Sequence, residues 1–483
     1  MTDESTYVKD LTRMSDDYDR WYTEVVRKAE LADYTPVRGT MVIRPYGYAI
    51  WEAIQRAFDD KIKESGHENW YFPLLIPEEL LTKEAEHVEG FTPEVAWVTE
   101  AGSHGKLDQR LAIRPSSETI VGAIVRKYIQ SYRDLPLLTN QWANVVRWEL
   151  RTRLFLRTAE FLWQEGHTFH AEREEARAEV DLILGYYREI AENWLAMPVI
   201  GGRKTEAEKF PGAEYTLTIE GMMRDGLALQ AGTSHYLGQN FARAYDIGFA
   251  NQDNERELCH TTSWGMSTRL IGGVIMAHGD DTGLILPPRV APRQVVVVPI
   301  APNEAARAEV RAYLDRWLPE VRAAGIRIHV DWRDERPGNK YNHWELKGVP
   351  LRIEVGRRDI EAGQVIVVDR LSRVKVKAPV AGIAGHLRAA LDAFQGALYR
   401  RALEFRDQNT FELRTLPDLV AHFRERTGFV WAPWCGDGAC EARVKEETGG
   451  VTARAIDPTA QVAGTCLCCD RPATQRVVFA RSY

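Results

Sequence analysis

The stretch RWELRTRLFLRTAEFLWQEGHT, residues 147–168, has four arginines in its first eleven positions and is also rich in leucine, phenylalanine and tryptophan. Apolar and polar residues alternate from Arg147 to Arg153, and they alternate again from Glu160 to Glu165. Alternation with a period of two is typical of a strand with one buried face. The stretch therefore predicts a β-hairpin with an arginine-bearing loop and one charged, aromatic face.

The charged face of this hairpin has the chemistry of a nucleotide site. Planar guanidinium groups bind phosphates bidentately, and aromatic rings such as Phe161 and Trp163 can sandwich a purine. Carboxylates and His167 share the same face. A salt-bridged sheet face that binds no ligand is the alternative when the hairpin is considered alone.

Three other segments offer matching groups. RPSSE, residues 114–118, closes a predicted strand with Ser116 and Glu118 two positions apart, so both can point into one cleft; helix capping is the alternative. QAGTSH, residues 230–235, ends a predicted strand with small residues that admit a ligand, or forms a simple turn. In TSWGMSTRLIGG, residues 262–273, glycine and serine precede Arg269 at the start of an apolar helix; a helix-packing glycine patch is the alternative.

Length and composition indicate about three domains in the 483-residue chain. Mixed helices and short apolar runs over residues 1–290 predict an antiparallel sheet flanked by helices, with a helix over residues 172–195 and a proline-interrupted strand over residues 70–77. After a boundary at residues 287–292, strands at Val295–Pro299 and Leu351–Val355 and helices over residues 304–324 and 383–406 predict an α/β unit over residues 291–406. A third unit covers residues 407–483. The predicted fold class is therefore α/β in the broad sense (α+β), with an antiparallel sheet and flanking helices in the first unit and an α/β second unit.

The third unit carries a cysteine motif. Cys435 and Cys440, then Cys466 and Cys469 after a gap of 25 residues, have the spacing of a tetrahedral thiolate zinc site. Two structural disulfides are the alternative, and Cys468 could replace a neighbouring ligand, although the two-residue spacing suits a zinc knuckle better.

The net charge and the length of the apolar runs indicate where the protein is located and which partners are possible. The N-terminal stretch has no apolar signal core and is too acidic for a transit peptide, and the longest apolar runs are too short to span a membrane, so we expect a cytoplasmic protein. The net charge of −7 leaves nucleic-acid partners open, because a polyanion responds to local cationic faces rather than to the sum.

Together these segments resemble the class II aminoacyl-tRNA synthetases, and in detail the prolyl-tRNA synthetases of the archaeal and eukaryotic type. Arg147-Trp148-Glu149 with the loop to His167 is similar to their motif 2, residues 263–272 to motif 3, and the strand ending at Pro73 to motif 1, the dimer-interface segment. The resemblance runs from about residue 10 to Tyr483, and GHTFHAEREEA, residues 166–176, is especially specific.

The resemblance implies a class II antiparallel sheet in a catalytic domain (1–290), an anticodon-binding domain (291–406) and a zinc-binding C-terminal domain (407–483). It implies a homodimeric proline–tRNA ligase that uses ATP with Mg²⁺ and transfers proline to tRNA(Pro). For catalysis it implies Arg147 and Arg269. The implied proline-binding residues are Ser116, Glu118, Arg147, Trp163, Glu165, His167, His235, Ser263 and Gly265; the implied ATP-binding residues are Arg147, Glu149, Phe161, Gln230, Thr233 and Arg269.

The second unit supplies candidates for the anticodon. The resemblance suggests Lys340, Trp344, Glu345, Lys347, Arg352 and Glu354, with phosphate contacts from Arg357, Arg358, Arg370, Arg373, Lys375 and Lys377; solvated structural residues are the alternative at each position. The terminal Tyr483 is similar to a tyrosine that folds back toward the catalytic domain in family members.

Departures from the family pattern bear on substrate choice. Members usually carry threonine at the position of Ser116, and a small residue at that of Phe169. Only about 60 residues separate His170 from Gln230, which leaves no room for the large editing insertion of bacterial-type relatives, so any editing of mischarged tRNA would need a separate protein.

Three other functions would each account for part of the sequence. A non-catalytic tRNA-binding paralogue predicts loss of Arg147 or Arg269, and both are present. A ligase that charges a carrier protein would not need an anticodon-type domain. A zinc-dependent nucleic-acid-binding module explains only the last 49 residues.

Overall fold

The computed structural model describes residues 11–87, 94–102, 105–149 and 151–483. Its helices are α1 (Tyr18–Lys28), α2 (Pro45–Glu64), α3 (Glu78–His87), α4 (Glu118–Val125), α5 (Arg173–Glu189), α6 (Asn240–Tyr245), α7 (Arg269–His278), α8 (Glu304–Leu314), α9 (Leu318–Ala323), α10 (Pro337–Leu346), α11 (Arg357–Glu361), α12 (Ile383–Gln408), α13 (Leu416–Glu425) and α14 (Gly438–Thr448). Its strands are β1 (Ala32–Tyr34), β2 (Met41–Ile43), β3 (Glu68–Asn69), β4 (Leu75–Pro77), β5 (Ala96–Glu100), β6 (Lys106–Ile113), β7 (Leu137–Val146), β8 (Glu160–His170), β9 (Val199–Arg203), β10 (Tyr215–Met222), β11 (Ala228–Gly238), β12 (Gly248–Ala250), β13 (Arg256–Leu258), β14 (His260–Ser267), β15 (Val295–Pro299), β16 (Ile328–Val330), β17 (Leu351–Val355), β18 (Gln364–Asp369), β19 (Lys375–Pro379), β20 (Thr410–Glu412), β21 (Phe429–Trp434), β22 (Thr452–Asp457) and β23 (Gln475–Ala480).

The largest sheet has eleven strands in the order β20-β21-β23-β22-β9-β10-β11-β14-β8-β7-β3. From β22 to β7 every neighbouring pair is antiparallel, which agrees with the mixed, largely antiparallel class predicted from the sequence. Helices α1, α2, α5 and α7 pack on its apolar side around Trp21, Trp51, Phe58 and Trp264. The opposite side of β8, β11 and β14 stays accessible and carries the candidate site.

The predicted hairpin at residues 147–168 is confirmed in its second half and wrong in its first. Strand β7 ends at Val146, and Leu150 lies outside the described residues. The amide of Trp148 donates to the carbonyl of Glu94 instead of continuing the ladder with β8, so the chain leaves the sheet there. Arg151 and Arg153 therefore belong to the loop and not to a strand.

The unit of residues 407–483 joins the large sheet through β22, which lies beside β9. Ile456 of β22 pairs with Arg203 at the end of β9. A Cβ atom on Gly202 would lie 2.3 Å from the carbonyl oxygen of Ile456, so only glycine lets the two backbones approach at this position. The expectation that Tyr483 folds back onto the first unit is confirmed, because its hydroxyl bonds to Asp225 and its ring lies 5.2 Å from the Arg153 guanidinium.

The middle unit contains a separate sheet with the order β16-β15-β17-β18-β19. Strands β15 and β17 have the predicted bounds and are buried throughout most of their length. The single helix predicted over residues 304–324 is instead two helices, α8 and α9. Pro319 lies in the first turn of α9 and lacks the amide that would continue a helix from Asp315, which explains the break.

Two other predicted elements differ in their bounds. Of the strand predicted over residues 70–77, only Leu75–Pro77 forms a strand, β4, and the short β3 precedes the predicted range; the amide of Phe72 donates to the Gln141 side chain and not to a strand. The helix predicted to reach residue 195 ends as α5 at Glu189 and continues as one π-helical turn, Ile190–Trp194. Among the residues that the structure describes, none of the helices combines the length and apolarity that a membrane crossing requires.

Candidate active site

A cavity of about 630 Å³ opens on the large sheet where β8, β10, β11 and β14 lie side by side and α4 and α7 begin. All of the residues proposed from the sequence for ATP or proline lie on its wall except one. They are Ser116, Glu118, Arg147, Glu149, Phe161, Trp163, Glu165, Gln230, Thr233, His235, Ser263, Gly265 and Arg269. His167 lies behind this wall and is buried.

Strand register explains why these residues meet. Ser263 of β14 pairs with His167 of β8 on one side and with His235 of β11 on the other. Gly265 in the same way pairs with Glu165 and Thr233. Residues 230–235 therefore lie inside β11, which corrects both the prediction that they end a strand and the alternative that they form a turn.

Arg147 lies just beyond the end of β7. Its Nε donates to the carbonyl of Pro115 at 3.0 Å, and its guanidinium carbon lies 5.6 Å from the Phe161 ring centre and 5.3 Å from that of Trp163. Burial lowers the pKa of Arg147 from its usual value, partly offset by the charges of Glu118 and Glu165. The side chain remains a fixed cation, since a guanidinium stays protonated near neutral pH.

Arg269 opens α7 on the far side of the cavity. Its Nε donates to the carbonyl of Leu156 at 3.1 Å, which holds the side chain across the loop between β7 and β8. Burial lowers its pKa, and the charge of Arg147 lowers it further, so the two arginines repel each other across the cavity. An anion bound between them would relieve that repulsion. Arg157 lines the same cavity and is paired with Glu149 at 2.7 Å.

Two carboxylates and one imidazole form a compact buried group. His167 Nε2 lies 3.8 Å from Glu118 Oε1 and 4.0 Å from Glu165 Oε2. Burial opposes ionisation of Glu118, but interaction with His167 and a hydrogen bond from Ser116 lower its pKa to about 2. Burial also opposes the charge of His167, yet the two carboxylates raise its pKa above the usual value.

Glu165 has a different environment. It accepts hydrogen bonds from the Ser117 amide at 3.1 Å and from Gln141 Nε2 at 2.8 Å, as well as from the Ser117 hydroxyl. Burial, more than any other cause, raises the pKa of Glu165. Sequence reasoning gave no role to Ser117, although it lies within RPSSE, or to Gln141, because their contacts with Glu165 span 48 and 24 residues.

The group of Glu118, Glu165 and His167 could in principle hold a metal ion, since one ligand atom from each lies within 4.8 Å of the others. The carboxylate oxygens of Glu165 already accept hydrogen bonds from Ser117 and Gln141 and have fewer lone pairs left for a metal ion, which favours an organic cation as the ligand of this group. Within the described part of the chain, Trp163 Nε1, Ser263 Oγ and Glu118 Oε2 are buried without a hydrogen-bond partner. Such groups are costly unless a ligand satisfies them.

His235 closes the site on the β11 side. Burial lowers its pKa to about 4, so the ring is neutral near pH 7. Its Nδ1 bonds to Thr216 Oγ1 at 2.9 Å, and its ring centre lies 4.6 Å from that of Phe210. The sequence analysis missed Phe210 and the neighbouring wall residues Lys204, Glu208, Lys209 and Pro211.

The cysteine motif forms a second candidate site, remote in sequence from the first. All six cysteines lie among the described residues and are free thiols, so the disulfide alternative is wrong. The Sγ atom of Cys440 lies 3.8 Å from that of Cys435 and 3.7 Å from that of Cys469, and Cys466 completes a group within 4.8 Å. Cys468 instead points its Sγ at the carbonyl of Cys440, at 3.4 Å.

The six anticodon candidates do not form one exposed face. Trp344, Glu345 and Arg352 line a small cavity of about 180 Å³ together with Arg373 and Lys375. Lys340 is buried and donates to the carbonyl of Asp331, Lys347 is paired with Glu30 of the first unit, and Glu354 accepts from Arg352 and Lys375. Arg370 binds Asp280 with both guanidinium arms, at 2.8 and 2.9 Å, so the proposed phosphate contact of Arg370 is wrong.

Comparison with protein families matches three separate parts of the sequence. The family described as tRNA synthetase class II core domain (G, H, P, S and T) matches residues 99–278. The anticodon binding domain matches residues 294–389, and the family described as Prolyl-tRNA synthetase, C-terminal, matches residues 417–483.

Characterised relatives align over their full length. The chain is 53% identical to a proline–tRNA ligase of Symbiobacterium thermophilum over 492 residues, covering 100% of both chains. It is 51% identical to a proline–tRNA ligase of Acetoanaerobium sticklandii, covering 99% of this chain and 98% of the relative. A crystal structure of prolyl-tRNA synthetase from Cryptosporidium parvum, complexed with halofuginone and AMPPNP, superimposes with a TM-score of 0.92 at 40% identity and covers 100% of this chain and 99% of that one.

Proposed function

The chain belongs to the proline–tRNA ligases, which are class II aminoacyl-tRNA synthetases, and we propose that the cavity on the large sheet binds ATP and proline side by side and joins them. The observation that carries this assignment is the strand register that aligns His235, Ser263 and His167 across three neighbouring strands. Adenylation of proline and its transfer to tRNA then follow from membership of this family.

ATP is proposed to occupy the arginine end of the cavity. The adenine would stack on Phe161, with Arg269 on its other face and reaching the γ-phosphate, while Glu149, Gln230 and Thr233 hold the rest of the nucleotide. The repulsion between the Arg147 and Arg269 cations supports this placement, because a triphosphate bound between them supplies the negative charge that offsets this repulsion. The AMPPNP in the Cryptosporidium structure is an ATP analogue and supports it further.

Mg²⁺ would bind with the ATP phosphates. The carboxylate of Glu149 and the amide oxygen of Gln230, both on the cavity wall, are oxygen ligands of the type that Mg²⁺ prefers. The ion would supply neutralisation of phosphate charge, and the residues of this chain position the reacting groups.

Proline is proposed to bind at the carboxylate end. Its cationic imino group would lie against Glu118 and Ser116, its ring among Trp163, His235, Ser263 and Gly265, and its carboxylate beside Arg147, while His167 would act from behind the wall through Glu118. The low pKa of Glu118 supports this placement, because the carboxylate is ionised and ready to receive a cation. Glu165 lines the same end of the cavity and accepts hydrogen bonds from Ser117 and Gln141.

Adenylation needs no nucleophile from the protein. A carboxylate oxygen of proline attacks the α-phosphorus, a P–O bond forms, and the bond to the β-phosphate breaks to release pyrophosphate. Arg147 sits where both the proline carboxylate and the α-phosphate would lie, so catalysis consists mainly of alignment and charge stabilisation. The 3′-hydroxyl of the terminal adenosine of tRNA then attacks the prolyl carbonyl and displaces AMP.

Zinc is proposed for the four-cysteine site. A tetrahedron with zinc–sulfur bonds of about 2.3 Å has edges of about 3.8 Å, which agrees with the Sγ separations of 3.7 to 3.9 Å. The amide of Cys468 donates to the Cys466 sulfur at 3.5 Å and supports the thiolate form. We propose that this ion is structural, because the four thiolates leave it no open position.

The remaining assignments rest on the family and on surface features. We propose residues 1–290 as the catalytic domain, 291–406 as the anticodon-binding domain for tRNA(Pro), and 407–483 as the zinc-binding domain. The segment between β8 and β11 is filled by α5, β9 and β10, which supports the lack of an editing insertion. Alanine lacks two methylenes of proline, each worth about 1–3 kcal/mol of discrimination, so a separate editing protein is a proposed partner.

A homodimer in the cytoplasm is the proposed assembly. The segment similar to motif 1 carries the exposed Tyr71, which is 79% accessible, and the ring of Tyr128, which is 57% accessible, contacts Trp70 of the same segment. An apolar surface of this kind favours association with a second copy. Light scattering should give a dimer mass independent of concentration, and a monomer at micromolar concentration would remove this assignment.

The function is tested by ATP–pyrophosphate exchange with the purified protein, Mg²⁺ and single amino acids. Exchange should be strongest with proline, with alanine and cysteine as the informative competitors. A zinc-loaded, folded protein that catalyses no exchange with any amino acid would contradict the assignment. Aminoacylation of tRNA(Pro) with labelled proline tests the second step.

A further inference from the structure

The loop between β9 and β10, residues 204–214, forms one side of the active-site cavity. Lys204, Glu208, Lys209, Phe210 and Pro211 all line that cavity. None of them belongs to the residues assigned above to ATP or proline. Their position next to the ligands raises the question of what holds this loop in place.

On the cavity side the loop is tied to His235. The Phe210 ring lies 4.6 Å from the His235 ring, and the Phe210 amide donates to Thr216 Oγ1 at 3.0 Å. The same Thr216 oxygen bonds to His235 Nδ1 at 2.9 Å. The position of Phe210 and the orientation of the imidazole therefore depend on one another.

On the other side the loop is tied to the C-terminal unit. The carbonyl of Thr205 accepts the amides of Glu208, at 3.2 Å, and Lys209, at 2.9 Å, which forms the turn that leads to Phe210. The Thr205 hydroxyl donates to Glu441 Oε1 at 2.9 Å. Thr205 is 2% and Glu441 is 7% accessible, so water does not replace this hydrogen bond.

A buried charge cluster fixes the start of the same loop. Lys204 Nζ donates to Glu220 Oε1 at 2.7 Å, and Arg454 of β22 donates to Glu220 Oε2 at 3.1 Å. Arg454 also lies 3.8 Å from Glu208. Through these two anchors, α14 and β22 of the C-terminal unit hold the loop in place.

We propose that Glu441 is a positioning residue for proline binding: through Thr205 it holds the turn that sets Phe210 against His235. Glu441 follows Cys440 in α14, so the thiolate cluster and the loop anchor share one helix. The inference rests on the proposed placement of proline beside His235. It assigns to the C-terminal unit a role in the affinity for the amino acid, in addition to any role in stability.

The test is the KM for proline in ATP–pyrophosphate exchange at saturating ATP. Thr205→Val keeps the shape of the side chain and removes the hydroxyl. We expect the KM for proline to rise on the order of tenfold, with kcat within about twofold of wild type. Thr205→Ser should restore most of the affinity, and Thr205→Val combined with Glu441→Ala should be no worse than either change alone.

Thr448→Val is the matched control. Thr448 lies on the same helix as Glu441, is 8% accessible, and donates its hydroxyl to the carbonyl of Val444 without touching the loop. The control should leave the KM for proline unchanged, although it removes a buried hydroxyl from the same unit. Protection against heat by proline gives a second readout, which should weaken in Thr205→Val and persist in Thr448→Val.

Two results would overturn the inference: a KM for proline in Thr205→Val within about twofold of wild type, or an equal rise in Thr448→Val. If Thr205→Val does not fold, Glu441→Ala carries the same comparison. Failure of the proposed function is distinct, because the wild-type protein would then show no proline-dependent exchange.

Discussion

The substitution Glu118→Gln should weaken the binding of proline much more than the binding of ATP. Glu118 Oε1 lies 3.8 Å from His167 Nε2, and two unit charges at that distance interact by about 4 kcal/mol at an effective dielectric constant of about 20. The fall of the Glu118 pKa from 4.5 to about 2 corresponds to about 3 kcal/mol of preference for the charged form. A cationic imino group bound at this carboxylate should gain a similar energy.

Glu118→Gln should therefore raise the KM for proline by about 30- to 1,000-fold, equivalent to about 2–4 kcal/mol, while the KM for ATP changes less than about threefold. The assay is ATP–pyrophosphate exchange with each substrate varied in turn. The expected difference between the two substrates follows because Glu118 lies at the carboxylate end of the cavity and Phe161 and Arg269 lie at the other.

Glu179→Gln provides the control for this experiment. Glu179 forms a separate buried glutamate–histidine pair, with its Oε1 2.9 Å from His67 Nε2, and its 8% accessibility equals that of Glu118. It does not line the cavity. A KM for proline in Glu118→Gln within twofold of wild type, or an equal increase in Glu179→Gln, would refute the electrostatic reasoning.

Three further predictions concern stability and metal binding. Gly202→Ala should lower the free energy of unfolding by about 3 kcal/mol in urea titrations, because the added Cβ meets a backbone carbonyl. Gly185→Ala, which places its Cβ in open space within α5, should raise the free energy of unfolding by about 0.5–1 kcal/mol. Equal effects of the two substitutions would contradict the packing described. Cys440→Ser should abolish stoichiometric zinc in elemental analysis and lower Tm, and Cys468→Ser should retain the zinc. The pKa of Glu118 is lowered on folding, so the stabilising effect of its carboxylate should be full above about pH 4.5 and fall as the pH approaches 2. The difference in unfolding free energy between wild type and Glu118→Gln should therefore shrink over that pH range. A constant difference would contradict the assigned pKa.

Local patterns anticipated most of the candidate site. The spacing of Ser116 and Glu118, the aromatic alternation of β8 and the arginine at the start of α7 each predicted a wall residue of the cavity. The cysteine spacing also selected Cys469 over Cys468, which agrees with the Sγ positions. These features are local in sequence, so the periodicity and spacing of the chain carry them.

Long-range contacts account for what the sequence did not reveal. The alternation from Arg147 onward predicted a strand, but the Trp148 amide bonds to Glu94, more than 50 residues earlier. The small residues after Gln230 indicated a strand end, and pairing with β10 and β14 instead extends the strand to Gly238. Partners such as Gln141 of Glu165 and Glu441 of Thr205 lie at separations for which no periodicity exists.

The shared eleven-stranded sheet has a consequence for the protein as it is made on the ribosome. Strand β9 ends at Arg203 and its neighbour β22 begins at Thr452, so about 250 residues separate their synthesis. At about 5–20 residues per second, the edge of β9 waits roughly 10 to 50 s for its partner. During that interval the nascent chain presents one unpaired edge of β9 and a Glu220 carboxylate without its Arg454 partner, and exposed strand edges are where unfinished chains associate.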